Sequence, residues 1–320
     1  MLDTAFVSHI VEAVYRFHPE DVAPLQRYPF DWRGIFELRD ENGQRWVLRL
    51  LQHPEGVATF HATATLLDWL YLQQYPVPQI RLTGGHQLVG MRDNWATLLI
   101  SFIEGTVLTP QPPDLRLLGA RLGQLHSLTG PPPPESRQSR CHPENIAKRT
   151  MAQLYTDSLS VPTAYTPLFI DLHASMQAII EEEPAIIRVT HGDIWYLNAI
   201  KTGTERVDII DWDNIGVGFP ILDLGYLLLS SHFNLDDPLT MKPDEAKVQA
   251  IMQGYQQYYR LSRQEKNIML HAVRFLLAYH LGAYRANQTH LQEDDLFLIK
   301  TQERFNSSVT IAQIAETYVE

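Results

Sequence analysis

Two stretches of the chain gather side chains that can hold phosphate and move a proton: His191-Gly192-Asp193-Ile194-Trp195-Tyr196-Leu197-Asn198 and Val207-Asp208-Ile209-Ile210-Asp211-Trp212-Asp213. Apolar runs, Ala185 to Val189 and Ala199-Ile200, flank the first, so its polar residues are expected in a loop between short strands, where side chains converge on a ligand. Phosphoryl transfer asks a protein mainly to align a hydroxyl, cradle phosphates and fix magnesium. An aspartate can orient the hydroxyl and take its proton, while a carboxylate and an amide oxygen supply hard ligands for the metal. Asp193 suits the first task, and Asn198 with Asp211 the second. Order and spacing carry the signal: the asparagine follows the first aspartate by five positions, and the second aspartate comes thirteen later. An asparagine and a later aspartate hold the two magnesium ions of protein kinases in the same order. Taken singly each is weak, because Asp and Asn at such spacings commonly cap turns.

The elements that must position these residues can be read from periodicity. Phe6, Val7, Ile10, Val11, Val14 and Tyr15 fall at helical spacing over 3–17, after Asp3 or Thr4 as N-cap. Two β-rich runs, Gly34 to Arg39 and Arg45 to Leu51, enclose Asp40-Glu41-Asn42-Gly43-Gln44, where Asn42-Gly43 is expected to supply the left-handed conformations of a tight hairpin. A helix is expected from Val57 to Gln74, ended by Pro76 and Pro78. Strands follow at 87–91 and 96–103. After Gly105, Leu115, Leu118, Leu122, Leu125 and Leu128 share one helical face. The polar run Glu135 to Arg149 is expected to be a surface excursion, and further helices are expected at 166–182 and 243–287. Gly119 and Gly123 fall inside a helical pattern, which points to close helix packing. The fold class is therefore α+β, with an antiparallel β-rich lobe over 1–104 and a larger, mostly helical lobe over 105–320.

Bulk properties narrow the partners. With 320 residues, 45% of them hydrophobic, the chain can bury a substantial core. Its formal net charge of -11 argues against a sequence-independent grip on nucleic acid, which needs clustered Lys and Arg. No run approaches the roughly 18 apolar residues that span a bilayer, and the N-terminus does not read as a signal peptide. Cys141 is the single cysteine, so no intramolecular disulfide can form. A cytoplasmic protein without membrane or nucleic-acid partners is expected. No paired histidine motif of a zinc enzyme is present, nor a Gly-x-Ser-x-Gly hydrolase elbow.

His191 to Asn198, Ile210-Asp211-Trp212-Asp213, Gly218-Phe219-Pro220 and Asp223-Leu224-Gly225-Tyr226 together resemble the aminoglycoside phosphotransferase family of small-molecule kinases. The resemblance implies a protein kinase-like two-lobed fold and transfer of the γ-phosphate of ATP or GTP, with Mg2+, to a hydroxyl of a small polar acceptor, with cationic molecules among the candidates. An aminoglycoside, homoserine, a choline-like amino alcohol or a sugar would fit, in a cleft between lobes. It implies Asp193 as base, Asn198 and Asp211 as metal ligands, Arg49 on the phosphates, and backbone groups near Ser101 and Ile103 on the adenine. By its position Asp223 should brace the catalytic loop, and His191 should shape that loop rather than react. Asp213 is open between a second metal and a turn anchor.

Three departures stand out. Arg49 replaces the usual lysine, although its planar fork can still pair with phosphate. The following helix reads His61-Ala62-Thr63-Ala64-Thr65 where a glutamate belongs, so either the ion pair is absent or Glu55 substitutes from the helix start. The stretch Tyr28 to Gly34 holds one glycine rather than a glycine-rich loop. The last two departures suggest the rival reading, a non-catalytic nucleotide-binding scaffold, against which Asp193, Asn198 and Asp211 together argue.

Overall fold

A computed structural model of the chain describes residues 2–26, 33–52, 56–134, 136–154, 161–182, 186–237, 239–288 and 291–319. Glu55 and most of the 28–34 stretch lie outside the described residues. Two compact units emerge, one of Met1–Gly105 with Gly130–Arg137, the other of Thr106–Thr129 with Gln138–Glu320.

The first unit is built on a five-stranded antiparallel sheet. Its strands, β1 (Asp21–Gln26), β2 (Arg33–Arg39), β3 (Arg45–Leu51), β4 (Gly90–Arg92) and β5 (Trp95–Ser101), run in the order β1-β2-β3-β5-β4. Helix α1 (Thr4–Tyr15) starts where the Asp3 carboxylate accepts the Ala5 N–H at 2.7 Å, so Asp3 is the N-cap. Strand alternation sorts the two faces. Leu48, Leu50 and Leu99 pack with Val7, Ile10 and Val11 of α1. Leu98 and Ala96 pack with Phe60 and Ala64 of α2 (Gly56–Leu72). Full burial of each such leucine stabilises by roughly 1.5–3 kcal/mol.

The β2–β3 hairpin forms as expected, but its turn differs in one respect. Only Gly43, at φ 74°, is left-handed; Asn42 is not. The cause is Asp40, whose carboxylate accepts the N–H groups of Asn42 and Gln44 at 3.0 Å each and holds a longer connection in place of a two-residue turn. Strand β1 escaped the periodicity because Pro24 interrupts it; such a strand belongs at a sheet edge, where β1 lies.

The second unit holds β6 (Thr106–Val107), α3 (Pro112–Ser127), α4 (Pro143–Asn145), α5 (Ala152–Leu154), α6 (Thr166–Glu182), β7 (Arg188–Thr190), β8 (Ala199–Gly203), β9 (Arg206–Ile209), β10 (Gly216–Gly218), α7 (Pro220–Ser230), α8 (Glu245–Tyr255), α9 (Arg263–Asn267), α10 (Met269–Ala286) and α11 (Leu296–Thr317). Strands β6, β8 and β9 form one antiparallel sheet and β10 with β7 another. Every residue of α7 is buried, as an apolar helix inside a large domain should be. In α3, a side chain at Gly119 or Gly123 would strike the Ile251 or Tyr255 carbonyl of α8, so these glycines do serve close helix packing.

The polar run after Pro134 is only in part a surface excursion: Gln138, Glu144, Lys148 and Arg149 are exposed, but much of the rest turns inward. Ser139, Cys141, Ile146 and Thr150 are buried, and a π-helical turn, Ile146–Met151, joins α4 to α5. Several of its polar groups find partners inside: the Ser139 hydroxyl pairs with that of Thr190 at 2.7 Å, and Asn145 donates to the Ser139 carbonyl at 2.7 Å. Polarity of sequence therefore misleads where partners are internal.

Candidate active site

The loop from His191 to Asn198 leaves β7 and enters β8, and a buried carboxylate fixes its start. Asp223, on the first turns of α7 and wholly buried, accepts the His191 N–H at 2.6 Å and the Gly192 N–H at 2.9 Å. It also takes hydrogen bonds from His126 Nε2 at 3.4 Å and from the Cys141 thiol at 3.6 Å. Burial alone would raise the Asp223 pKa, but the His126 hydrogen bond, the neighbouring imidazoles of His126 and His191 and the Gly192 N–H outweigh it and hold the carboxyl below its ordinary range. Gly192, at φ 79°, admits no side chain, since a Cβ would lie 2.5 Å from the Asn214 carbonyl oxygen.

His191 shapes the loop. Its Nε2 donates to the Ile210 carbonyl at 3.0 Å, its Nδ1 accepts the Asp193 N–H at 3.2 Å, and its ring meets the edge of buried Trp212 at 4.7 Å. The same ring thus ties the Asp193 backbone to the residue before Asp211. Asn198 completes the link: its Nδ2 donates to the Asp193 carbonyl at 2.9 Å, and its own carbonyl accepts the Ile210 N–H at 2.9 Å. Asp193, Asn198 and the Asp211 corner are therefore joined by short hydrogen bonds, though far apart in number. Asp211 is exposed and left-handed, φ 59° and ψ 57°, a conformation that Asp tolerates better than most residues.

The Asp193 side chain, 23% exposed, has neighbours that sequence reasoning did not find. The Tyr226 hydroxyl donates to Oδ1 at 2.5 Å, Arg140 Nη1 approaches the same oxygen at 3.5 Å, and Asn214 Nδ2 approaches Oδ2 at 3.5 Å. Burial, reinforced by the Asp193 charge, pushes the Tyr226 phenol well above its ordinary pKa, so it stays protonated and remains a donor. Tyr226 lay in the quoted Asp223-Leu224-Gly225-Tyr226 motif, but nothing in the sequence gave its hydroxyl a partner 33 residues away.

The residues expected to meet the nucleotide belong to the first unit. Arg49 is buried on β3, with its guanidinium carbon 6.0 Å from the Phe60 ring centre on the α2 face of the sheet. Ser101 is more occupied than expected: its N–H donates to the Gln79 carbonyl at 2.8 Å and its Oγ accepts the Gln79 N–H at 2.9 Å. The Ser101 amide is thus unavailable to a base. The main-chain groups of Ile103 enter no hydrogen bond among the described residues. Just beyond, Glu104 is held by Arg45, which also binds Glu37 and stacks 3.6 Å from the Phe102 ring centre.

With this geometry in place, comparison with known proteins places the chain. The amicoumacin kinase hAmiN, solved in complex with AMP-PNP and Ca2+, aligns over 99% of this chain and 94% of its own, at 17% identity and a TM-score of 0.64. A microcompartment-associated aminopropanol kinase covers 99% and 97% at 15% identity and TM-score 0.64. The macrolide 2'-phosphotransferase of Brachybacterium faecium covers 88% and 92% at 17% identity and TM-score 0.61. At such identities the likeness defines the fold: an α+β, protein kinase-like architecture. The model of the phosphotransferase enzyme family, APH, matches residues 25–264, and the chain belongs to that family, as a small-molecule kinase. No curated protein matches the sequence. Among the described residues, no helix is long and apolar enough to cross a membrane.

Proposed function

We propose that this phosphotransferase moves the γ-phosphoryl group of ATP, or GTP, to a hydroxyl of a small polar acceptor, with Asp193 as the base. One observation carries this reading: both N–H groups at the start of the Asp193 loop are fixed on buried Asp223, while Asn198 turns back onto the Asp193 carbonyl. A loop so braced presents its carboxylate in one orientation, which is what aligning a hydroxyl for in-line attack requires. Asp193 Oδ1 is engaged by Tyr226 and Arg140, and Oδ2 only by the 3.5 Å Asn214 contact. Oδ2 is therefore assigned the hydroxyl proton as the new O–P bond forms and the bond to the β,γ-bridging oxygen breaks, releasing the nucleoside diphosphate.

Asn198 and Asp211 fit a divalent cation of the magnesium type. Both offer hard oxygens, and Asn198 commits its Nδ2 inward, so its Oδ1, which accepts no hydrogen bond among the described residues, is available. Among the described residues no group of three or more His, Cys, Asp or Glu side chains is placed to hold a metal. A small protein donor set suits Mg2+, which keeps water and phosphate oxygens as its other ligands. Such an ion, when bound, offsets the charge of the transferring group. Arg49 is assigned the phosphates and the Ile103 main chain the adenine.

The test is Asp193→Asn, with release of ADP measured across an acceptor panel. Turnover should fall on the order of 10³-fold, the range of general-base catalysis, and nucleotide affinity should change less than about threefold. Ordinary turnover by this variant on an identified acceptor would end the assignment.

A further inference from the structure

Arg45, at the start of β3, reaches further than its own sheet requires. Its Nε and Nη2 donate to Glu37 Oε1 at 2.5 Å and Oε2 at 2.9 Å, a bidentate pair across the β2–β3 ladder. Arg39 also approaches Glu37, at 4.0 Å, so that carboxylate is met twice on the sheet. The third nitrogen of Arg45 turns elsewhere: Nη1 donates to Glu104 Oε1 at 2.5 Å. The guanidinium carbon lies 3.6 Å from the Phe102 ring centre, and the Arg45 carbonyl accepts the Phe102 N–H at 3.1 Å. Side chain and main chain of one residue thus hold the segment after β5 at two points. The Glu104 side chain is 70% exposed, and an ion pair so open to water adds little to stability. Its consequence is geometric.

Ser101-Phe102-Ile103-Glu104 is tied at three of its four residues. Gln79 takes the Ser101 N–H at 2.8 Å and gives its own N–H to the Ser101 hydroxyl at 2.9 Å, while Arg45 takes Phe102 and Glu104. Ile103, half-buried between them, keeps its N–H and its carbonyl out of hydrogen bonds among the described residues. One main-chain donor and one acceptor are left at a fixed place, and the edge of adenine presents an adjacent acceptor and donor. Order imposed on both flanks beforehand removes a cost that binding would otherwise meet. Arg49, four residues further along β3, is placed differently: the ladder to β5 holds it opposite Leu98.

We propose that Arg45 is a positioning residue for the nucleotide, pinning Phe102 and Glu104 so that the Ile103 main chain stands ready for the base. It acts through that backbone rather than by its own contact with the ligand. This rests on the assignment of the Ile103 main chain to the base. Without the two ties the segment is competent only part of the time, and apparent affinity falls by that fraction. The loss is confined to ligands that carry a base, because the strand ladder keeps Arg49 in place for the phosphates.

Calorimetry on the full chain with Mg2+ tests this using two probes: a non-hydrolysable ATP analogue, which carries a base, and inorganic tripolyphosphate, which does not. Arg45→Met keeps the stem over Phe102 and removes the fork. The Kd of the analogue should rise about 10-fold, as when the competent fraction falls to about a tenth, while that of tripolyphosphate stays within about twofold. Arg45→Lys keeps the charge without the planar fork and should recover only part of the loss. Glu104→Ala opens one tie at an exposed position and should raise the Kd of the analogue about threefold with the melting temperature unchanged. An unchanged Kd for the analogue in Arg45→Met overturns the proposal, and so does equal weakening of both probes, the mark of a loosened fold. Should Arg45→Met not fold, Glu104→Ala decides, and an unchanged Kd there overturns it. If wild type holds tripolyphosphate as tightly as the analogue, the base contributes nothing and the Ile103 assignment fails instead.

Discussion

Asp40 in the first unit and Asp223 in the second are both almost sealed from solvent, at 3% and 0% exposure, and both accept two backbone N–H groups. Their remaining partners differ. Asp40 adds the Trp46 indole at 2.9 Å and the Arg81 guanidinium at 2.8 Å, so a full positive charge faces it. Asp223 adds an imidazole and a thiol. Asp40 holds a turn two to four residues away; Asp223 holds a loop more than thirty residues away. One device therefore serves two ends: in the first unit it stabilises a hairpin, and in the second it sets the conformation of the backbone that carries Asp193.

The largest expected effect separates these ends. Asp223→Ala strands two buried N–H groups and should cost about 3–5 kcal/mol in urea unfolding, and the molecules that remain folded should lose turnover as the loop relaxes. Asp40→Ala should cost about 2–4 kcal/mol, for the same kind of stranded donors, while leaving kcat per folded molecule within about twofold. Equal loss of kcat in both variants would dissolve the distinction.

Next comes Tyr226→Phe, which keeps the ring beside Arg140 and removes one hydrogen bond to a carboxylate. A bond of that kind is worth about 1.5–3 kcal/mol, so stability should fall by up to about that amount and kcat/KM of the folded molecules roughly 10-fold or more. The pH response is smaller. Burial would raise the Asp40 pKa, but bonds from Trp46, Gln44, Asn42 and Arg81 outweigh it and hold it below the ordinary value of 3.8. Its protons therefore bind the unfolded chain first: the stability it adds is intact above that value and is lost as pH falls through the lower folded one. An acid unfolding series on Asp40→Asn should show a shallower loss below about pH 4 than wild type. Cys141→Ser should be smallest, under about 1 kcal/mol, since a hydroxyl can still donate to Asp223.

The comparison also explains what the sequence could disclose. Gly43 and the two strands it joins interact within a few residues, so composition and alternation sufficed for that hairpin, whereas the role of Asp40, the conformation of Asn42 and strand β1 did not show. The helices with clear apolar periodicity were legible for the same reason. Asp223 could be placed only through resemblance to a family, because its partners are near in space and distant along the chain. Tyr226 and Arg140 reach Asp193 across 33 and 53 residues. The segment holding Ser139 and Cys141 was misjudged because buried polar residues that satisfy each other look, in one dimension, like a wet surface.

Gly123 of α3 lies against the Tyr255 carbonyl, and the hydroxyl of that same tyrosine meets His126 Nδ1 at 2.8 Å, three residues further along α3. The gap between two helix axes is thereby metered by a missing methyl group. Widening it, as an alanine at 123 would, must pull the imidazole and phenol apart and slacken the far end of the chain of contacts that terminates at residue 223. Heritable variation at this inconspicuous glycine should accordingly register as altered turnover, although the position touches no reactant.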